Sequence, residues 1–222
     1  NTRIMEDFTF HIITPYKGPI HWLDECIHSV RMQTLSSVHH VIIDEENKGA
    51  CRNHFETLQK ISPNPNNIVI HLDGDDKLIN HRCLEILRYV YSNNDVWATY
   101  GNYTSRQGSV CAPLNNLPFR ESFKKIGWSW SHLRTFRASL IPNLLEEDMK
   151  DSSGKWFSSA PDVAIFLPIL ELCGKDRIRF INEDLVYYRI HQNNEHSNNS
   201  KLADQIRCAV ELQNKKPYAR LQ

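Results

Sequence analysis

The segment HLDGDDKL, His71 to Leu78, sets three carboxylates around one glycine: Asp73, Asp75 and Asp76, with Gly74 between the first two. It follows directly on the apolar run Ile68 to Ile70. Carboxylates this close repel one another unless a cation or a proton intervenes. Mg2+ and Mn2+ prefer oxygen ligands, and two aspartates one residue apart can share such an ion with phosphate groups. A solvated turn is the plainer alternative, because Asp-Gly is a common turn pair. A hairpin fits poorly, since the residues after Leu78 have helical spacing rather than that of a return strand. An EF-hand loop fails: counted from Asp73, its glycine position holds Leu78 and its final glutamate position holds Leu84. A strand-end position favours the cation, because ligands of parallel α/β sheets gather outside the carboxyl ends of the strands.

Two further polar clusters end apolar runs. Thr14, Pro15, Tyr16 and Lys17 close the first, and Asp44, Glu45 and Glu46 close the second. In a parallel sheet these junctions and the DGDD segment lie side by side. Asp44 could accept hydrogen bonds from a base or ribose, Tyr16 could cover a base, and Arg52 could reach a phosphate as a bidentate donor. A helix cap, a rim aromatic and a surface cation are the plain alternatives. Neither GxxxxGK[ST] nor GxGxxG occurs, so a nucleotide here would be held by metal and side chains rather than by a glycine loop.

The elements that must position these groups alternate. Short β-branched runs at 10–14, 38–43, 68–72 and 96–104 read as strands. Apolar residues at helical spacing over 20–33 and 49–61 read as helices, the second broken by the turn cluster SPNPNN. Asn80 is placed to cap a third helix carrying Leu84, Leu87 and Val90. This order predicts right-handed crossovers and a parallel sheet. Beyond it, 105–128 reads as loop, 131–145 and 161–173 as helices, 178–182 and 185–190 as strands, and 202–212 as a last helix after a polar stretch.

The bulk numbers narrow the function classes. The 222 residues suit one domain, and 41% hydrophobic with 23% charged residues reads as globular. Basic and acidic residues number 26 each, which argues against a nucleic-acid-binding protein. No apolar run approaches the roughly 20 residues of a membrane helix. The opening NTRIMEDFTF has acids where an export signal would have its apolar core, so a cytoplasmic protein is expected. The six cysteines form no CxxC pair and read as buried thiols rather than zinc ligands or disulfides. Sequons at Asn102 and Asn198 carry little weight without export. The end, KKPYARLQ, has no clear stop, as in a domain cut from a longer protein.

In this order FHIITPYK, HWLDECIHSVRMQT, VIIDEE, GACRN and IVIHLDGDDKL resemble the nucleotide half of glycosyltransferase family 2. Ser29, Gln33 and Thr34 match that family's first-helix ending, Gly49, Arg52 and Asn53 its G-x-x-x-R-N pattern, and the L-D-x-D-D match is complete. Lys17 replaces the usual Asn, and of the second strand's acidic motif only Asp44 carries over. WSWSHLRTFRASLI, APDVAIFLPILELCG and INEDLVYYRIHQNNEHS resemble later segments, over about residues 8 to 200 in all. A further resemblance, carried by no single residue, is to the capsid-glycan transferases of large algal viruses.

The resemblance implies a GT-A fold: α/β, with a Rossmann-like, mostly parallel central sheet flanked by helices and a smaller acceptor-side second half. It implies one domain over 1–222, with a nucleotide-sugar half at 1–104 and an acceptor half at 105–222. Thr14, Pro15, Tyr16, Asp44, Arg52, Asp73 and Gly74 would line the donor, favouring a UDP-sugar, and Asp73, Asp75 and His191 would hold Mn2+ or Mg2+. Asp162 takes the position of the base in an inverting transfer to a glycan or glycoprotein hydroxyl. An acid in a first helical turn is also simple dipole matching, and His191 could be a surface histidine. His132 and Arg134, on the expected 131–145 helix, would face the acceptor, and Trp128 and Trp130 would stack a sugar or simply pack. A nucleotidyltransferase and a catalytically inactive sugar-binding module are the alternatives.

Overall fold

The computed structural model of the protein describes residues 7–44, 48–105, 111, 113–191 and 199–222. β1 (Thr9–Tyr16), α1 (Ile20–Arg31), β2 (Val38–Asp44), α2 (Ala50–Leu58) and β3 (Asn67–His71) take up the expected alternation. Next come β4 (Lys77–Leu78), α3 (Cys83–Tyr91), β5 (Ala98–Thr104) and α4 (Phe119–Ile126). The remainder is β6 (Arg134–Arg137), α5 (Pro161–Cys173), β7 (Ile178–Tyr187) and α6 (Asn199–Asn214), with short 3-10 turns between β6 and α5 and before β7.

All seven strands join one sheet in the order β2-β1-β3-β6-β5-β7-β4. β1, β2, β3, β5 and β7 run one way, while β6 and β4 run against them. The sheet is therefore mostly parallel by direction, as expected, but it is mixed. β5 does not lie beside β3; β6, from the second half of the chain, is inserted between them.

That insertion corrects the expected 131–145 helix. Leu133, Phe136, Leu140 and Leu144 have helical spacing in the sequence. Leu133 nevertheless joins the apolar layer containing Ile12 and Ile70, while Phe136 joins the opposite layer with Ile13 and Val69. Residues three apart share a face in a helix and lie on opposite faces of a strand. Other expectations shift as well. The 105–128 stretch contains α4, the two late strands are one continuous β7, and α3 starts at Cys83. Asn80 is not its cap; Asn80 Oδ1 accepts from the Arg82 N–H at 2.8 Å, forming a turn ahead of the helix.

Each sheet face has its own apolar layer. Phe10, Ile12, Ile68 and Ile70 pack with Cys26 and Val30 of α1 and Leu84 and Leu87 of α3. Ile13, Val69 and Phe136 pack with Phe55 and Leu58 of α2 and with α5. α5 is buried from Val163 to Cys173, so it is apolar on every side, and only its first turn can carry a polar group to the surface. It stops at Gly174, whose φ of 71° suits a residue without a Cβ; a Cβ there would also lie 2.7 Å from Arg220. The six cysteines are free thiols. Among the described residues, no helix is long and apolar enough to cross a membrane.

Candidate active site

The three strand ends adjoin. Tyr16 pairs with Asp44 across β1 and β2, and the Gly74 N–H donates to the Pro15 carbonyl at 3.0 Å. The glycine in DGDD has a packing reason: a Cβ on Gly74 would lie 2.5 Å from Tyr16 Cδ2 and 2.9 Å from Tyr16 Cβ, so the loop backbone rests on the tyrosine. Gly74→Ala is therefore expected to lose about 1–3 kcal/mol of stability, the usual cost of overpacking. Urea unfolding checks this, and an unchanged midpoint would contradict it.

Four segments converge on the carboxylates. Asp75 is half-buried, and its Oδ2 accepts from His191 Nε2 at 2.8 Å. The imidazole lies against Trp22, ring centroids 4.5 Å apart. Asp76 is buried; its Oδ1 accepts the Arg189 N–H at 2.8 Å, and among the described residues its Oδ2 has no hydrogen-bond partner. The Arg189 side chain donates to the Asp75 carbonyl and to Glu25 of α1, both at 2.9 Å. One arginine thus ties the end of β7, α1 and the DGDD loop together. Sequence reasoning took His191 from YRIH and passed over Arg189, whose only signal was its place two residues before His191.

His132 lies on the other side of Asp76. Its Nδ1 is 3.9 Å from Asp76 Oδ2 and, like that oxygen, is buried without a hydrogen-bond partner among the described residues. Burial, reinforced by the charges of Asp75 and Asp73, pushes the Asp76 carboxyl well above the ordinary carboxylate range, against the Arg189 N–H. Burial and then the Arg134 charge push His132 well below the ordinary histidine value. A neutral imidazole and carboxylates are a donor set suited to a divalent ion. Asp73, Asp76 and His132 can each offer an atom with all three within 4.8 Å of one another. Asp76 Oδ2 and His132 Nδ1 thus face each other beyond hydrogen-bond distance, and an ion between them would satisfy both.

Arg134 joins residues from the two halves of the chain, Asp73 and Asp162. It is buried in β6, opposite His71 of β3. Its Nη1 donates to Asp162 Oδ2 at 3.1 Å, and its Nη2 lies 3.8 Å from Asp73 Oδ2. Asp162 is the second residue of α5, carried there by the buried length of that helix. Asp73 and Asp162 are thus brought to one guanidinium. Beneath them, burial holds His71 well below the ordinary histidine value, with the charges of His54 and Arg134 adding to the effect. The expectation that Arg134 faces an acceptor from a helix gives way to this bridging position in the sheet.

The other expected residues take varied positions. Thr14 is fully buried, with its hydroxyl 2.8 Å from His40 Nε2, so it supports β1 from inside and its side chain does not reach the cleft. Arg52 pairs with Glu56 at 2.7 Å and lies over Trp156, 5.7 Å from the ring centroid. Only the backbone of Asp44 is described, and Glu45, Glu46 and the Asn198 sequon lie outside the described residues. Trp130 is 2% exposed and packs edge-on against Phe119 and Trp128, which makes it a core residue; Trp128 is half-buried beside it.

No protein-family model matches the chain, and neither does any curated protein. Solved structures do resemble it. S. aureus TarS 1-349 in complex with UDP-GlcNAc superposes with TM-score 0.63 at 13% identity, over 95% of this chain and 68% of that one. The same protein with UDP gives 0.62 at 14%, over 95% and 67%. The mannosyltransferase PcManGT from Pyrobaculum calidifontis, in complex with GDP-Man and Mn2+, gives 0.59 at 11%, over 94% and 65%. A further TarS 1-349 structure is matched over 60% of its length, so the chain spans about two thirds or less of these proteins. At these identities the likeness establishes the fold, and the fold is the GT-A arrangement.

Proposed function

We propose that the chain is the catalytic domain of a glycosyltransferase that moves a sugar from a nucleotide-sugar, with UDP-sugars favoured, to a hydroxyl of a glycan or glycoprotein. The observation that carries this reading is the Arg134 bridge, which sets a carboxylate at the start of α5 against a carboxylate of the DGDD loop beyond the end of β3. The solved structures of this fold that hold UDP, UDP-GlcNAc and GDP-Man support it.

In this reading residues 1–104 hold the donor and 105–222 the acceptor. Pro15, Tyr16 and Gly74 form the floor under the nucleotide, Asp44 reads the base edge, and Arg52 turns from Glu56 to a phosphate. The donor set fits a divalent ion: Asp75 with His191 on the outer side of the loop, Asp73, Asp76 and His132 on the inner side. Mn2+ or Mg2+ held there supplies charge stabilisation to the departing diphosphate. Asp162 takes the proton of the acceptor hydroxyl as that oxygen attacks the anomeric carbon from the face opposite the diphosphate, so the transfer inverts the anomeric centre. The mannosyltransferase complex with Mn2+ supports the ion.

The test is a thermal-shift panel of UDP-, GDP- and dTDP-sugars with and without Mn2+. Stabilisation by UDP-sugars that depends on Mn2+ is expected. No shift with any nucleotide-sugar would overturn the reading, and a larger shift with GDP-sugars would remove the base preference assigned to Asp44.

A further inference from the structure

Asp73, Asp75, Asp76 and Asp162 lie close together among the described residues. Asp75 has His191 and Asp76 has the Arg189 N–H, whereas Asp73 and Asp162 share the Arg134 guanidinium. The sharing is uneven, with contacts of 3.1 Å to Asp162 and 3.8 Å to Asp73. The arginine side chain is only 4% exposed, while the two acids are 31% and 35% exposed, so a ligand from solvent reaches the acids and not the arginine. Among the described residues the Arg134 Nε has no hydrogen-bond partner, so the contacts shown for the guanidinium lie at its two terminal nitrogens.

We propose that Arg134 is a positioning residue that serves as the cleft's internal counter-ion, shared between Asp73 and Asp162 and ceded to Asp162 alone when a divalent cation takes Asp73. The inference rests on the proposed nucleotide-sugar site. A fixed guanidinium beside Asp73 competes with any other cation for that carboxylate, because like charges this close repel even through water. Once a metal ion neutralises Asp73, Asp162 is the remaining carboxylate among the described residues that the guanidinium contacts directly. Donor loading and orientation of the carboxylate at the start of α5 then become linked, and the acceptor side of the cleft is completed after the donor side. The fork geometry matters, since lysine offers one point charge and cannot span two acids.

The linkage has a sign that a merely structural role would not produce. Removing the arginine charge should tighten the binding of Mn2+ alone, whereas a damaged loop would weaken it. In titration calorimetry, Arg134→Gln should bind Mn2+ about three- to tenfold more tightly than wild type, the size expected for a nearby unit charge discounted for solvent and salt. Its release of UDP from a UDP-sugar, with water as acceptor, should fall at least about tenfold, while the donor KM at saturating Mn2+ stays within about threefold. Arg134→Lys keeps the charge, so its Mn2+ affinity should stay within about twofold while UDP release still falls.

Asp162→Asn supplies the opposite sign from a half-exposed position whose loss the fold tolerates. It releases the guanidinium onto Asp73 and should weaken Mn2+ about two- to threefold. If Arg134→Gln proves unfolded by circular dichroism, this arm decides. Equal or weaker Mn2+ binding in a folded Arg134→Gln, or unchanged binding in Asp162→Asn, overturns the inference alone. A wild-type protein that binds neither Mn2+ nor UDP-sugar overturns the reading of the site and the inference with it.

Discussion

Asp162→Asn is expected to lower turnover by about 10²–10⁴-fold, the usual contribution of a general base. The substitution keeps the shape of the side chain and removes its basicity. The residue stands at the start of a helix that is buried from Val163 to Cys173, so the backbone has little freedom to respond. At saturating Mn2+ donor affinity should barely change, because the proposed reading assigns the nucleotide to residues 1–104 and not to α5. The measurement is kcat and donor affinity side by side. Near-normal turnover would remove Asp162 from the mechanism; equal losses in both would make it a binding residue.

Asp75→Ala is expected to abolish the Mn2+-dependent part of UDP binding. Even an outer partner of a metal ligand typically costs 10–100-fold, and a direct ligand should cost at least that. The side chain is 29% exposed, so the fold should survive its loss. Calorimetry with UDP and Mn2+ checks this against Asp76→Asn. Retained affinity in Asp75→Ala with a loss in Asp76→Asn would move the ion to the inner set of Asp73, Asp76 and His132.

The first half of the chain was legible because its signals are local. Runs of β-branched residues ending in polar clusters mark β1, β2 and β3, and the register of adjacent strands then brings Tyr16, Asp44 and Gly74 together without further information. What the sequence hid depends on long-range placement. β6 is short and carries two buried arginines, Arg134 and Arg137, which no local pattern marks as central strand. Its apolar spacing matches a helix until the partner strands assign Leu133 and Phe136 to opposite faces. With β6 misread, the Arg134 bridge and the approach of His132 to Asp76 could not be foreseen. Arg189 escaped for a similar reason: its partners, Asp75, Asp76 and Glu25, lie more than a hundred positions away along the chain.

The most direct test of a nucleotide-sugar transferase in this cleft is release of UDP from a UDP-sugar in the presence of Mn2+, monitored in wild type and Asp162→Asn at equal donor occupancy. The account predicts release by wild type, its disappearance without Mn2+, and an Asp162→Asn protein that binds the donor and releases about 10²-fold less UDP or lower still. Donor binding without Mn2+-dependent release in wild type, or undiminished release by Asp162→Asn, would contradict it.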